Sequence, residues 1–205
     1  MATINDQLSS VDLVVLDLDG TLYNKRHLSL RMVMHALCDI RKMQAERHTR
    51  ANMKGTYLGN KESFYATYFL RLSQMLNTSA DSIQYWYEKR YMPQMVRLIG
   101  KHHHAGDWVM PFIQQCRSQG IKLVVLSDYG HAEDKLQALG LSPTLFDWVV
   151  SAPDLGGLKP APQLLHQVAQ QMGVTVEKCL IIGDREDTDG AMARATGAQF
   201  QLIKY

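Results

Sequence analysis

The stretch VDLVVLDLDGTLY at residues 11–23 decides how the chain is read. Five aliphatic residues run toward a buried strand, and Asp17 and Asp19 follow, two positions apart. Like charges that close repel each other, and burying a carboxylate without a partner is costly. A positive partner, either a side chain or a metal ion, is expected beside them.

Working outward, short aliphatic runs recur at residues 121–126 (IKLVVL), 148–150 (WVV), 179–182 (CLII) and 200–203. Each has strand length and is rich in Val, Ile and Leu, as in strands buried on both faces. Helical patterns separate them. Residues 108–119, 131–139, 160–172 and 187–196 each end at a glycine, a C-terminal stop signal. Alternation of this kind predicts an α/β protein with a central parallel sheet flanked by helices. Residues 24–104 break the rhythm. They contain no convincing strand and read as helices over 28–54, 61–76 and 79–91, with Ser79 as an N-cap and a final short helix before Gly100. Two units are expected: a core of residues 1–23 and 105–205, and a helical insert of residues 24–104.

Ligands of such sheets bind beyond the carboxyl ends of the strands. The residues expected there are Asp17, Asp19 and Thr21 after the first strand, Ser127 and Asp128 after the second, and Lys159 in the loop beyond WVVSA. Asp184, Asp187 and Asp189 follow CLIIG.

The bulk composition narrows the function. The 205 residues are 46% apolar and 20% charged, which suits a soluble globular protein. Basic and acidic residues number 22 and 20, so no concentrated basic face for nucleic acid is expected. The locally basic run RKMQAERHTR (41–50) reads as a solvated helix face. Three scattered cysteines without CxxC read as reduced, mostly buried thiols. The start MATINDQLSS has no leader pattern and no apolar run is long enough to span a bilayer, so a cytoplasmic location without membrane contact is expected. His102, His103 and His104 read as a hinge or solvated loop, because adjacent extended residues point in alternating directions. The aromatics of the insert, Phe64, Tyr65, Tyr68, Phe69, Tyr85, Trp86, Tyr87 and Tyr91, are expected to form its small core. Oligomeric state has no signature in the sequence.

Four segments together resemble the motifs of the haloacid dehalogenase superfamily. DLDGTLY resembles DxDGTL, VVLSD an apolar strand ending in Ser or Thr, GLKPAP the usual KPDP, and IGDREDTD the motif GDxxxxD. The resemblance implies a Rossmann-like core with a mobile helical cap inserted after the first strand. It implies a magnesium-dependent phosphatase acting on a small phosphorylated metabolite. In that reading Asp17 is the nucleophile that becomes an aspartyl phosphate, and Asp19 is the general acid and base. Ser127 and Lys159 hold phosphoryl oxygens. Mg2+ is held by Asp17, Asp184 and the carbonyl of Asp19, with Asp187 or Asp189 on metal-bound water and family spacing favouring Asp189. Thr21 orients the loop, and Gly20 permits its turn.

The chain also departs from that pattern. Ala161 stands where relatives usually carry Asp, which weakens the anchoring of the loop around Lys159. Asp128 replaces a frequent Asn and adds negative charge beside the phosphate site. Arg185 either reaches a second anionic group of the substrate or pairs with Glu186. Three other readings stay open: a phosphomutase of the β-phosphoglucomutase type, a catalytically silent binding module, and a 2-haloacid dehalogenase, against which Asp19 speaks.

Overall fold

The aliphatic run that opens the chain forms β1 (Leu13–Leu16), buried throughout. The computed structural model describes residues 8–205, so most of the stretch MATINDQLSS, and the leader reading made on it, lies outside the described residues. After β1 come α1 (Leu28–His35), α2 (Ile40–Asn52), α3 (Lys61–Leu76), α4 (Ala80–Trp86) and α5 (Met92–His102). The remaining order is α6 (Val109–Ser118), β2 (Lys122–Ser127), α7 (Ala132–Ala138), β3 (Trp148–Ser151), α8 (Pro162–Met172), β4 (Cys179–Gly183), α9 (Ala191–Thr196) and β5 (Gln199–Leu202).

The five strands pair in the order β3-β2-β1-β4-β5, all parallel. β1 is central, with Leu16 opposite Val125 on one side and Ile182 on the other. The residues that follow β1, β2 and β4 therefore emerge side by side at one edge. Strand side chains alternate between faces. Val14, Leu16, Leu123, Val125, Leu180 and Ile182 join one apolar cluster with α6, α7 and the insert. Leu13, Val15, Val124, Leu126 and Ile181 join a second with α8 and α9.

Helix signals in the insert act as the chemistry requires. The Asn60 carboxamide oxygen accepts from Ser63 N at 2.8 Å, and Ser79 Oγ accepts from Ser82 N at 3.3 Å. The last helix does not stop before Gly100. It runs on to His102, and Gly100 lies inside it against α7, where a Cβ would be 3.4 Å from that of Ala138. A π turn, Tyr87–Tyr91, joins α4 to α5.

Two expectations need correction. The run 41–50 is not a solvated face alone, since Ala45, Glu46 and Thr49 are buried. His103 is buried, not solvated, with its Nδ1 2.8 Å from the Asn24 carbonyl and its ring against Tyr23. The cysteines are as expected, free and mostly buried: Cys116 and Cys179 are buried and Cys38 is exposed. Of the insert's aromatics, Phe64, Tyr68, Phe69, Trp86 and Tyr87 are buried and Tyr85 is exposed.

The insert also touches the core at mid-length. Leu58 N donates to Gly156 O at 2.7 Å, Leu158 N to Thr56 O at 3.0 Å, and Gly55 N to Lys159 O at 3.3 Å. Tyr57 and Gly157 form an antiparallel bridge in this seam. Gly157 is required by proximity, for a Cβ there would lie 2.8 Å from Thr56 O. No described helix is long and apolar enough to cross a membrane.

Candidate active site

The strand ends build the site in layers. Asp17 directly follows β1, and its backbone N–H donates to Ile182 O at 2.9 Å, which ties it to β4. The chain then turns at Gly20, whose φ of +102° favours glycine. A Cβ there would also lie 2.3 Å from Asp184 Oδ2, so glycine lets the two acidic loops touch. Asp17, Asp184 and Asp189 each bring one carboxylate oxygen within 4.8 Å of the others. Gly183 makes the last of these possible, because a Cβ there would meet Asp189 Cγ at 2.4 Å. Asp187 is not in the group. It is exposed and pairs with Arg185 at 2.6 Å and with Lys54.

The positive partner expected for Asp17 is Lys159. Its buried Nζ lies 2.6 Å from Asp17 Oδ1 and 2.7 Å from Asp189 Oδ1. Burial alone would favour the neutral amine, but Asp17, Asp189 and Asp128 outweigh it and hold the lysine charged. Burial raises the Asp17 carboxyl to about 7 against the pull of Lys159, with Asp189 and Asp184 adding to the rise. Thr21 Oγ1 donates to Asp17 Oδ2 at 2.8 Å.

Asp19 has its own partners. Lys135 Nζ, fully buried on α7, lies 2.7 Å from Asp19 Oδ2, and Tyr23 OH donates to Oδ1 at 2.7 Å. Burial pushes the Asp19 carboxyl up, yet Lys135, Tyr23 and Lys25 more than reverse this and leave it below the usual carboxylate range. Ser127 Oγ reaches the same Oδ2 at 3.3 Å. Lys25 Nζ bridges Asp19 O, at 2.8 Å, and Asp184 Oδ2, at 2.6 Å. Asp128 Oδ1 accepts the Lys159 backbone N–H at 2.9 Å, and burial raises its carboxyl against Lys159.

Asp17, Asp19, Asp128, Lys159, Asp184, Arg185 and Asp189 all line one cleft of about 730 Å³ beneath α1 and α2. Thr21 and Ser127 bond to its carboxylates from behind. Arg185 does not pair with Glu186, which binds Arg194 at 3.0 Å instead. Lys135, Lys25 and Tyr23 were not singled out from the sequence. Lys135 had left a signal, standing in the apolar stripe of Ala132, Leu136 and Leu139 where a charge needs a buried partner.

A parallel sheet carrying acidic loops past its central strands, with a helical insert after the first, defines a Rossmann-like α/β hydrolase. The chain belongs to the haloacid dehalogenase-like hydrolase family, whose model matches residues 11–197. It is 27% identical over 205 residues to the protein SUPPRESSOR OF QUENCHING 1, chloroplastic, of Arabidopsis thaliana, covering 98% of this chain and 18% of that protein. It is 23% identical over 197 residues to a glyceraldehyde 3-phosphate phosphatase of Methanocaldococcus jannaschii, covering 90% of this chain and 81% of that one. The chain spans less than half the length of several curated relatives it matches. Among solved structures, a 2-haloacid dehalogenase from Pseudomonas syringae pv. Tomato superposes with a TM-score of 0.62 at 16% identity, covering 94% of this chain and 86% of the other. At that identity the likeness concerns the fold alone.

Proposed function

We propose that this chain is a magnesium-dependent phosphatase that hydrolyses a small phosphorylated metabolite through an aspartyl phosphate on Asp17. The observation that carries the reading is the meeting of Asp17, Asp184 and Asp189 at one point of the cleft, with Lys159 on the same Asp17. An all-oxygen carboxylate set fits a hard divalent cation. Asp17 and Asp184, with the Asp19 carbonyl, would hold Mg2+, and Asp189 would support it. The ion supplies charge neutralisation for the transferring phosphoryl group.

Asp17 attacks phosphorus in line, and the bond to the leaving oxygen breaks. Lys159 and Ser127 hold phosphoryl oxygens, and backbone N–H groups after Asp17 and Ser127 add donors. Asp19 protonates the leaving oxygen, then takes a proton from the water that attacks the acyl phosphate and releases inorganic phosphate. Lys135 keeps Asp19 ionised, which is the state the second half uses. An incoming phosphate adds negative charge beside Asp19 and so favours its protonated form for the first half. Residues 24–104 act as a cap domain over the cleft and select the substrate, with Thr21 orienting the loop. Asp128 organises the phosphate side, and Arg185 faces a distal anionic group. A second acid two residues after the nucleophile sets this reading apart from dehalogenation. A cytoplasmic setting suits a soluble metabolite as substrate.

The test is release of p-nitrophenol from p-nitrophenyl phosphate and of phosphate from a panel of phosphorylated metabolites, with and without Mg2+. Turnover is expected to require the metal and to vanish in Asp17→Asn. Metal-independent hydrolysis, or full activity in Asp17→Asn, would reject the mechanism; an isomerised phosphosugar in place of free phosphate would indicate a mutase.

A further inference from the structure

Arg50 leaves α2 at the boundary between insert and sheet, and protein groups take up four of its five N–H donors. Nε donates to Glu46 Oε1 at 2.9 Å, Nη1 to the Asp128 carbonyl at 2.6 Å, and Nη2 to the hydroxyls of Tyr68 and Tyr87 at 3.2 and 3.3 Å. The Tyr129 ring stacks on the guanidinium, with its centroid 4.0 Å from Cζ. Glu46, itself buried, also accepts from Tyr68 OH at 2.7 Å. With four of its five N–H groups bonded to protein and one face covered by Tyr129, this guanidinium on the cleft wall is better placed to hold a loop than to bind a substrate.

The loop it holds carries Ser127. Asp128 offers its carbonyl to Arg50 and its carboxylate to the Lys159 backbone N–H, 2.9 Å away. The Lys159 carbonyl accepts from Gly55 N at 3.3 Å, and Gly55 lies only five residues beyond Arg50. The circuit Arg50, Asp128, Lys159, Gly55 closes through the insert's own backbone. Lys159 sits on it, and Ser127, the last residue of β2, adjoins it through Asp128. Asp128 stands where the family often has Asn, and Ala161 where it often has Asp. Here the insert provides an anchoring route for the Lys159 loop that does not depend on residue 161.

We propose that Arg50 is a positioning residue: through Asp128 it fixes Ser127 and Lys159 for phosphoryl transfer without touching the substrate. This rests on the phosphatase reading. Small displacements of such groups cost rate steeply, about a hundredfold for an error of roughly 1 Å.

The experiment compares wild type, Arg50→Lys, Asp128→Ala and the double variant, each corrected for folded fraction. The substrates are p-nitrophenyl phosphate and 2-phosphoglycolate, which carries a second anion. Positioning predicts that Arg50→Lys lowers kcat roughly 10- to 100-fold, by the same factor for both substrates, with KM moving less than about threefold. Because the two residues act through one relay, the double variant is expected to be no worse than the poorer single one. Exchange of the Lys159 amide proton is expected to quicken in Arg50→Lys. Three results would overturn the proposal. One is wild-type kcat with only a lower Tm. Another is a KM rise confined to 2-phosphoglycolate, which marks direct contact with its carboxylate. The third is a double loss equal to the product of the single losses.

If Arg50→Lys does not fold, Tyr87→Phe removes one partner of the guanidinium and should lower kcat about threefold; an unchanged kcat overturns the proposal. If wild type hydrolyses nothing on the panel, or Asp17→Asn keeps full activity, the phosphatase reading fails, while Lys159 exchange still decides the relay. An active wild type with an inert Asp17→Asn and an unaffected Arg50→Lys removes the positioning role alone.

Discussion

Asp17 and Asp19 stand two residues apart, yet each has its own lysine. Lys159 serves the first and Lys135 the second. Removing one member of a buried pair strands the other charge, at about 3–5 kcal/mol. Lys135→Met is therefore expected to destabilise the protein by roughly 3 kcal/mol in urea unfolding, since Tyr23 still bonds Asp19. Asp19→Asn in the same background should recover most of that loss without restoring turnover. Lys25 differs, being half-exposed and placed across Asp19 O and Asp184 Oδ2, two of the oxygens proposed for the metal. Lys25→Ala should tighten Mg2+ binding about tenfold, read by titration calorimetry; unchanged or weaker binding would deny that the ammonium competes for these oxygens. The acidic residues were legible because each follows an aliphatic strand, and Lys159 because it follows a recognisable motif. Lys135 is paired across elements with Asp19, and Lys25 joins Asp19 O of its own loop to Asp184 of a distant one, pairings that no sequence pattern marks. Lys135 had advertised itself only by occupying an apolar stripe.

At the scale of elements, the strands and most helices were readable from aliphatic runs and glycine stops. The basic run on α2 was not, because its period suggests a wet surface while its buried side holds Glu46 beside Arg50 and Tyr68. Polar groups that satisfy one another inside a protein leave no hydrophobic signature. This cluster sets a pH limit. Burial raises the Tyr87 phenol from 10.0 to about 12, and holds Tyr68 and Tyr91 well above their ordinary value. Each such group favours the folded state fully below pH 10, and that contribution fades as pH climbs from the unfolded value toward the folded one. Each can contribute a slope of up to about 1.4 kcal/mol per pH unit in that window. The urea midpoint is expected to fall between pH 10 and 12, and less steeply in Tyr87→Phe; an identical slope in that variant would count against its ionisation as a cause.

For the molecule as a whole, one apolar cluster contains Phe64, Tyr68 and Ile83 of the insert together with Val14, Leu16 and Leu180 of the sheet. Sharing a core couples their unfolding. Variants retaining only Trp86 on the insert, or only Trp148 on β3, should report the same urea midpoint and slope. Two separated transitions would show that the units fold independently. Sequence patterns mark out segments but not which of them share a core, since that depends on how chains far apart in sequence meet.

The seam between residues 55–58 and 156–159 has a mechanical consequence. A body joined to a base by two neighbouring chain crossings can swing like a door. A third attachment off that axis removes the swing, as a third leg steadies a stool. Gly156 lies in this seam with φ of +88°, and a Cβ there would sit 2.5 Å from Asn60 N, so Gly156→Ala should prise the attachment loose. While the seam holds, we expect the size of a window framed by side chains, rather than the angle of a hinge, to set what enters the cleft.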